Sequence, residues 1–326
     1  MKRIVIHCLL ALLSSTVSTA QIIYRDSTQK PASNDTLIRK PNALHFVAMG
    51  DWGRNGEDHQ KLVAVQMGKT AAEIKAQFII STGDNFYPSG VISEFDPLFR
   101  YSFEDIYTAF SLQWDWYVTL GNHDYKSNPD AQVAYSKISR RWKMPARYYA
   151  KTFPINGDTT NQVLILFIDT NPLIPDFYSN AEYGPNVRTQ DSTAQKKWIE
   201  TQLKNAGPRV KWKIVVGHHP MYSGSNRTNT YDTKAIRRIL KPMFDQYGVD
   251  AYVTGHEHIL EHMVTGKLNH FISGAASERS PVHDIPENLM VASEYGFMVF
   301  SATTNELLVQ TIDYTGKVIY KTTIKK

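Results

Sequence analysis

The chain has 326 residues and a formal net charge of +5 at pH 7, with 36 basic and 31 acidic residues scattered along its length. This near balance argues against an extended nucleic-acid surface, although it leaves room for a local anion pocket. A single cysteine, Cys8, excludes a disulfide framework, so the fold must rest on a hydrophobic core, and the length suffices for one large α/β domain.

The N-terminus predicts a secretory signal peptide over residues 1–20. Lys2 and Arg3 precede an apolar run from Ile4 to Leu13, and small residues lead to Ala20, the expected cleavage point. The apolar run is far shorter than the roughly 20 residues that a membrane span needs, so no stable membrane anchor is expected. We therefore predict an exported monomer, periplasmic or extracellular, and removal of 20 of the 326 residues leaves a mature chain of 306.

The remaining chain is interpreted as a polar arm followed by one domain. Residues 21–42 are polar, contain two prolines and lack periodicity, as in an arm or linker. From residue 43 to residue 326, short β-branched runs alternate with longer amphipathic stretches, which is the order expected of an α/β domain. Near the C-terminus, apolar runs with turns at 303–305 and 315–316 predict consecutive hairpins.

Five of the apolar runs end in the same way, at a glycine followed directly by a residue that can bind a metal through oxygen or nitrogen. They are LHFVAMGDWG (44–53), FIISTGDNFY (78–87), WYVTLGNHD (116–124), KIVVGHHP (213–220) and AYVTGHEH (251–258), and the residues after the glycines are Asp51, Asp84, Asn122, His218 and His256. A glycine permits an abrupt turn, and the carboxyl ends of strands are where α/β sheets build their sites. One such junction is ordinary turn chemistry, but five together predict a metal centre.

The candidate ligands are too many for one ion. His258, two residues beyond His256, and Tyr87, three beyond Asp84, raise the set to seven, with no thiolate among them. Such oxygen and nitrogen ligands suit iron, zinc or manganese. Two ions about 3.5 Å apart that share a bridging carboxylate are the economical interpretation, and such a pair can hydrolyse phosphate esters.

The last junction allows a rival interpretation. The stretch from His258 through Glu261 to His262 fits the H-x-x-E-H pattern of an inverted zinc protease, which requires a helix through residues 256–264. However, the apolar runs on either side of residues 265–267 predict two strands joined by a tight turn. In a strand, His258 and His262 would lie about 13 Å apart, too far to share an ion, so His262 is predicted to be an ordinary strand residue.

The ordered motifs GDWG, GDNFY, GNHD, GHHP and GHEH resemble those of metallophosphoesterases, and the tyrosine of GDNFY resembles the ferric ligand of purple acid phosphatases. The segment at 131–149 resembles the corresponding one in the small mammalian type, the tartrate-resistant acid phosphatases. The resemblance runs from about residue 44 to the C-terminus. It implies two mixed β-sheets flanked by helices, a four-layer αββα sandwich, in one catalytic domain over residues 43–326.

Carried over position by position, the resemblance implies two sets of metal ligands. Fe(III) would be bound by Asp51, Tyr87 and His258, a divalent ion (Fe(II), Zn or Mn) by Asn122, His218 and His256, and both ions by the bridging Asp84. Fe(III) should deprotonate a phenol well below its free pKa of roughly 10, whereas neutral imidazole and amide ligands suit a divalent ion.

The general acid is predicted beside these ligands. His123 follows a ligand directly, so it should lie near the leaving oxygen without binding a metal. Asp124 is expected to orient its ring.

Substrate contacts are expected from His219, Asn226 and Arg227, because an arginine suits a phosphate oxygen. Position 219 departs from the mammalian-type enzymes, which carry tyrosine there and a further histidine in the loop beyond. The segment 177–193 resembles by position the loop that covers the active site in those enzymes.

These inferences predict an acid phosphatase that hydrolyses phosphate monoesters, either small molecules or phosphopeptides. The reaction would be an in-line attack of a hydroxide held by the metals, without a phosphoenzyme. Two alternatives stay open. One is a homodinuclear phosphodiesterase or nucleotidase on the same fold, and the other is a protein that binds metal or phosphate without catalysis. No nucleic-acid partner is expected.

Overall fold

The computed structural model describes residues 20–32 and 35–326 of the chain. The predicted signal peptide therefore lies outside the described residues, apart from its last one. The α-helices and strands of the described residues are β1 Gln21–Tyr24, β2 Leu44–Met49, α1 Gln60–Ile74, β3 Phe78–Ser81, β4 Asp115–Val118, α2 Pro129–Tyr135, β5 Trp142–Lys143, β6 Tyr149–Ile155, β7 Asp158–Phe167, α3 Gly184–Val187, α4 Ser192–Lys204, β8 Val210–Val216, α5 Tyr231–Tyr247, β9 Ala251–Thr254, β10 Leu260–Thr265, β11 Leu268–Ser273, β12 Asn288–Ser293, β13 Gly296–Ala302, β14 Glu306–Asp313 and β15 Val318–Lys325.

The strands form two mixed sheets. One has eight strands in the order β1-β12-β10-β11-β9-β8-β7-β6, and the other has seven in the order β15-β14-β13-β2-β3-β4-β5. Strands β7, β8, β9 and β11 are parallel neighbours in the first sheet, as are β2, β3, β4 and β5 in the second. Parallel strands are covered on both faces, which explains why these runs are almost continuously apolar in the sequence.

The two sheets pack face to face between helices. The rings of Phe271 on β11 and Phe300 on β13 meet across the interface at 5.5 Å. Helix α1 packs on β2 and β13 of the seven-stranded sheet. On the eight-stranded sheet, Phe244 of α5 lies 5.4 Å from Tyr252 of β9. The layers are therefore helix, sheet, sheet and helix, and the predicted four-layer sandwich is confirmed.

The helix ends follow local chemistry. Asp191 caps α4 because its carboxylate accepts hydrogen bonds from the backbone N–H groups of Thr193 and Ala194, both at 2.9 Å. Helix α5 ends at Gly248, which adopts the left-handed conformation that glycine permits, with φ of 62°. Among the described residues, none of the helices combines the length and the apolar character that a membrane crossing requires.

The hairpins near the C-terminus agree with the sequence analysis. Strands β10 and β11 pair in antiparallel register around Gly266, so residues 260–265 are extended and the helix required by the H-x-x-E-H interpretation does not form. The ring of His262 lies within β10, 2.8 Å from the Tyr320 hydroxyl and 3.1 Å from Asn269 Oδ1. Both of its nitrogens therefore have protein partners, and the prediction of a strand residue is confirmed.

The N-terminal arm contributes a strand that the sequence analysis did not predict. Strand β1 pairs in antiparallel register with β12 at the edge of the eight-stranded sheet. Its side chains stay partly exposed, and the Tyr24 hydroxyl donates a hydrogen bond to the Ile319 carbonyl at 2.7 Å. An edge strand of four residues is too short to show an apolar periodicity, so it could not be predicted from the sequence.

Candidate metal centre

The carboxyl ends of the parallel strands from both sheets meet at one end of the sandwich. Neighbouring strands β2, β3 and β4 lead to Asp51, Asp84 and Asn122. Neighbouring strands β8 and β9 lead to His218 and His256. The structure therefore brings together all five residues that follow the strand-ending glycines.

The backbone at these junctions is unusual and closely packed. Asp51, Asp84 and His256 have positive φ angles of 60°, 49° and 69°. For residues other than glycine this conformation costs of order 1 kcal/mol, and such strain is concentrated at functional sites. A Cβ at Gly121 would lie 2.1 Å from Asp84 Oδ1, and one at Gly255 would lie 2.3 Å from Asp51 Oδ2. Glycine is thus required at both positions for the carboxylates to sit where they do.

Four of the candidate ligands form a group that we call the tyrosine quartet: Asp51, Asp84, Tyr87 and His258. The Tyr87 hydroxyl oxygen lies 3.2 Å from Asp51 Oδ1, 3.1 Å from Asp84 Oδ2 and 3.1 Å from His258 Nε2. His258 Nε2 lies 3.7 Å from Asp51 Oδ1. The four atoms thus surround one small space.

The other group is called the histidine quartet: Asp84, Asn122, His218 and His256. Asn122 Oδ1 lies 3.2 Å from His218 Nε2 and 2.9 Å from His256 Nδ1. His218 Nε2 lies 3.2 Å from His256 Nδ1 and 3.4 Å from Asp84 Oδ1. Asp84 therefore gives one carboxylate oxygen to each quartet, so the two groups are joined through a single residue.

The outer partners of the imidazoles indicate which nitrogens carry hydrogen. His218 Nδ1 faces the Thr82 carbonyl at 2.9 Å, and His256 Nε2 faces Asp232 Oδ2 at 3.0 Å. Both partners can only accept, so in the neutral rings these nitrogens donate and the inward ones present lone pairs. With both rings neutral, the histidine quartet is a set of four acceptors turned toward one another. Without a cation, Asp84 raises the pKa of His218 to about 9 against the effect of burial, so the site attracts positive charge.

This arrangement fits a metal ion. Four acceptors without a hydrogen between them repel one another, and a cation removes that repulsion. For metal–ligand bonds of about 2.1 Å, tetrahedral or octahedral geometry places ligand atoms about 3.0–3.4 Å apart. The separations in both quartets lie in or near that range.

The pKa shifts of Asp51 and Tyr87 agree with the same conclusion. Burial raises the pKa of Asp51 to about 7. Burial and the carboxylates of Asp84 and Asp51 raise the pKa of Tyr87 well above its usual range. A bound cation reverses such shifts, because it favours the ionised form of every oxygen that it touches.

His123 lies beside the centre without belonging to either quartet. Its backbone N–H donates to Asp84 Oδ1 at 2.8 Å, and its ring lies 4.4 Å from the Tyr87 ring. Its Nδ1 donates to the Pro88 carbonyl at 2.6 Å, whereas Nε2 makes no hydrogen bond within the described part of the chain. Burial lowers the pKa of His123 against the attraction of Asp84. The free nitrogen is available to a bound substrate.

The expectation that Asp124 orients the ring of His123 is wrong. The Asp124 carboxylate is fully buried and turns away, accepting from the backbone N–H groups of Gly121 at 2.8 Å and Asn85 at 3.1 Å. It also accepts from Gln132 Nε2 at 2.8 Å. Buried backbone donors must be paired, and Asp124 pairs those of the loops after β3 and β4, so a backbone carbonyl orients His123 instead.

Arg227 and Asn226 do not form the expected anion pocket. The Arg227 guanidinium donates to Asp232 Oδ2 at 2.8 Å and lies 3.5 Å from Glu257 Oε1. Its charge is thus paired with two buried carboxylates. The Asn226 side chain is exposed and makes no hydrogen bond to any described residue.

His219 is placed beside the histidine quartet and not on an open surface. It is fully buried, its Nδ1 lies 2.7 Å from Thr170 Oγ1, and its ring centre lies 4.4 Å from that of His256. Its Nε2 has no hydrogen-bond partner among the described residues. His218, His219 and His256 each offer a nitrogen within 4.8 Å of the other two. The buried ring of His219 therefore lies against the histidine quartet, next to the ring of His256.

The segment 177–193 covers the histidine quartet. It begins within the 3-10 helix Pro175–Tyr178 and contains the short helix α3. Within it, the Tyr183 hydroxyl lies 3.3 Å from Asn122 Nδ2. The Phe177 ring meets the His219 ring edge to face at 5.4 Å. The loop position predicted from the sequence is therefore the position that the structure has.

Three charged residues that contact the ligands were missed by the sequence analysis. Asp232 accepts from His256, Glu278 accepts from His258 Nδ1 at 3.1 Å, and the Arg54 guanidinium lies over the Tyr87 ring with 3.8 Å between centres. Asp232 lies in the first turn of α5, where an acidic residue is ordinary helix chemistry. Arg54 directly follows GDWG, and that adjacency is the one local signal available.

Comparisons with known proteins agree with this centre. The model of the calcineurin-like phosphoesterase family matches residues 44–260. Purple acid phosphatase 17 of Arabidopsis thaliana is 33% identical over 95% of each chain. Tartrate-resistant acid phosphatase type 5 of Homo sapiens is 33% identical over 87% of this chain and 91% of its own.

Two solved structures share the fold. Purple acid phosphatase PPD1 from yellow lupin seeds has a TM-score of 0.64 at 14% identity, over 91% of this chain and 55% of that one. GAP50, described as the anchor in the inner membrane complex of Plasmodium, has a TM-score of 0.74 at 23% identity, over 87% and 89% of the two chains.

Proposed function

The chain belongs to the calcineurin-like phosphoesterase family and, within it, to the purple acid phosphatases, and from this premise we propose that it hydrolyses phosphate monoesters at an Fe(III)–divalent centre. The observation that carries the proposal is the pair of ligand quartets joined by Asp84. A single bridging carboxylate between two groups of ligand atoms is what a two-ion phosphoesterase requires.

The two quartets suit different ions. The tyrosine quartet offers two carboxylates and a phenol, which together favour the higher charge of Fe(III). The histidine quartet offers one carboxylate oxygen with an amide and two neutral imidazoles, a set that suits Fe(II), Zn or Mn. When bound, the two ions supply the Lewis acidity that activates water and neutralises the charge developing on phosphate.

The protein's own groups position the proposed metal ligands and move a proton. Asp84 keeps the two quartets at a fixed separation, and the buried backbone turns beside it hold the ligands rigidly. With Nδ1 of His123 donating to the Pro88 carbonyl, a protonated ring has its Nε2 hydrogen free for the leaving oxygen. Phosphorus would be attacked from the side opposite to this group, in line with the departing oxygen.

The experiment that tests the function combines metal analysis, visible absorption and two substrates. We expect one iron and one further metal ion per chain, a violet or pink colour, and faster turnover of a phosphate monoester than of a diester. A colourless protein that holds only zinc or manganese and prefers a diester would instead indicate a homodinuclear phosphodiesterase. Isolation of a phosphorylated side chain would contradict direct attack by water.

Replacement of the tyrosine tests the assignment of iron. Tyr87→Phe should abolish the visible band, because the band requires a phenolate bound to Fe(III). Tyr183→Phe is the matched control, since its hydroxyl also lies at the centre, 3.3 Å from Asn122, but is not a proposed ligand. A band that is lost in Tyr183→Phe but kept in Tyr87→Phe would contradict the assignment.

We also propose that the chain is exported and that residues 43–326 act as one catalytic domain, with residues 21–42 as an arm docked through β1. The N-terminal charges and apolar run support a signal peptide over residues 1–20. N-terminal sequencing of protein recovered from a bacterial periplasm or medium should begin at Gln21. Recovery of the uncleaved chain from the cytoplasm would argue against export.

A further inference from the structure

Two charged side chains outside the ligand set connect the outer faces of the tyrosine quartet. The Arg54 guanidinium carbon lies 3.8 Å from the centre of the Tyr87 ring, and its Nη2 donates to Glu278 Oε2 at 2.7 Å. The same carboxylate oxygen lies 3.1 Å from His258 Nδ1. Because an ionised carboxylate can only accept, Nδ1 is the donor in this contact. One carboxylate therefore joins the cation over the tyrosine to the ring of the histidine.

The guanidinium is held in place and is not a mobile surface charge. Its Nε donates to Ser277 Oγ at 3.1 Å and lies 3.7 Å from Asp58 Oδ2. The side chain is 19% exposed. A planar cation with fixed partners on two edges stays over the ring that it covers, where its charge can interact with the ring electrons.

The histidine quartet has a different arrangement. The arginine beside it, Arg227, donates to Asp232 and approaches Glu257, so its charge is paired with carboxylates in place of a ligand ring. In both halves a carboxylate faces an imidazole and an arginine is paired with carboxylates. The difference is that Arg54, unlike Arg227, also lies over the ring of a proposed ligand.

We propose that the charge of Arg54 stabilises the electrons of the Tyr87 ring. Glu278 is a positioning residue that fixes both Arg54 and His258. This inference rests on the proposed function, because it requires iron bound through Tyr87. A positive charge over the ring lies closer to the ring than to an ion bound at the phenol oxygen. It therefore lowers the energy of the ring electrons, which are the donors, more than the energy of the acceptor orbitals of the ion. Arg54 therefore raises the energy needed to move an electron from the tyrosinate to iron.

The position of the visible absorption band of the full-length, iron-loaded protein tests this effect. Arg54→Met should move the band to longer wavelength, because the donor electrons are no longer stabilised. Arg54→Lys keeps the charge and should leave the band closer to that of the unsubstituted protein. Arg279→Met is the matched control, since its guanidinium lies 4.9 Å from the ring of Tyr295, which is not a ligand, and the band should not move.

Two results would overturn the role of Arg54. An unchanged band in Arg54→Met would show that the stacked cation does not act on the ring electrons. Equal shifts in the Met and Lys variants would show that shape, and not charge, sets the band.

The role of Glu278 has its own measurement. Glu278→Gln keeps the size of the side chain but removes the charge that fixes His258, so iron should be lost to a chelator at a concentration about 10- to 100-fold lower. Glu294→Gln, which alters the partner of Arg279 away from the centre, is the control. Unchanged iron retention in Glu278→Gln would overturn this part of the proposal.

The failure of this inference is distinguishable from that of the proposed function. A violet, active protein whose band ignores Arg54 overturns the inference alone. A colourless protein that still hydrolyses monoesters overturns the ferric assignment and the inference with it.

Discussion

The two quartets are equal in ligand number and share Asp84, yet they differ in charge and in what surrounds them. The tyrosine quartet has a second carboxylate and a phenol, and its histidine, His258, is partly exposed and contacts Glu278. The histidine quartet has neutral ligands besides Asp84, and its His218 is fully buried against the carbonyl of Thr82. One strand-end geometry, used twice, therefore makes two different sites through the charge of the candidate ligands and their outer partners.

The largest expected effect comes from the residue that the quartets share. Asp84→Asn should lose both ions and lower the rate by about 10⁴-fold or more, because each ion supplies several kcal/mol of transition-state stabilisation. Metal analysis and monoester turnover measure this, with Asp115→Asn, at the opposite end of β4, as the control. Retention of one ion with a rate within tenfold of the unsubstituted protein would show that Asp84 serves only one quartet.

A smaller effect is expected for the proposed proton donor, His123, which belongs to neither quartet. His123→Asn should slow the hydrolysis of an alkyl phosphate by about 10²- to 10³-fold, since its alkoxide needs a proton to leave. A nitrophenyl phosphate, whose leaving group is stable as an anion, should be affected much less.

Both ions should remain bound in this variant, which separates the proton donor from the ligands. His283→Asn, a histidine that contacts Thr228 outside the quartets, is the control. Equal losses for the two phosphates would argue against His123 as the acid.

The outer partner of the histidine quartet should affect one half of the comparison alone. Asp232→Asn weakens the acceptor for His256 Nε2, so affinity for the divalent ion should fall by about 10- to 100-fold while iron is retained. Titration of the divalent ion against activity at constant iron content measures this. Asp245→Asn, exposed on the same helix, is the control. Parallel loss of iron would mean that the quartets are not independent in their outer contacts.

The smallest effect is expected from acid, which acts on the stability of the scaffold that holds both quartets. Burial lowers the pKa of His262 to about 4, against about 6.5 in an unfolded chain. Between these values the unfolded chain binds a proton that the folded protein does not. The free energy of unfolding is therefore unaffected by His262 above pH 6.5 and falls by up to about 3 kcal/mol as the pH drops to 4.

Urea unfolding of the metal-loaded protein at pH 7 and pH 4.5 measures this loss. It should be smaller in His262→Gln, which cannot be protonated in this range. The exposed His283→Gln should behave like the unsubstituted protein. An unchanged pH dependence in His262→Gln would assign the acid sensitivity to other groups.

The ligand candidates, the family and the layer architecture could be predicted from the amino-acid sequence alone. Each candidate ligand follows a strand-ending glycine or lies within three residues of such a junction, so a local pattern fixes where its backbone goes. The hairpins around residues 266 and 303–305 were equally readable, because apolar runs and turn residues alternate there. These features depend on neighbours in the chain.

The outer contacts of these candidate ligands, in contrast, depend on how the whole chain folds. Glu278 reaches His258, whereas Asp124 turns from its neighbour His123 toward buried backbone N–H groups, and Arg227 pairs with carboxylates instead of facing the substrate. Side-chain direction and charge pairing are set by whichever elements pack together and by which buried donors need partners. Such partners leave no periodic signal in the sequence, so the ligands could be predicted from local pattern while their surroundings could not.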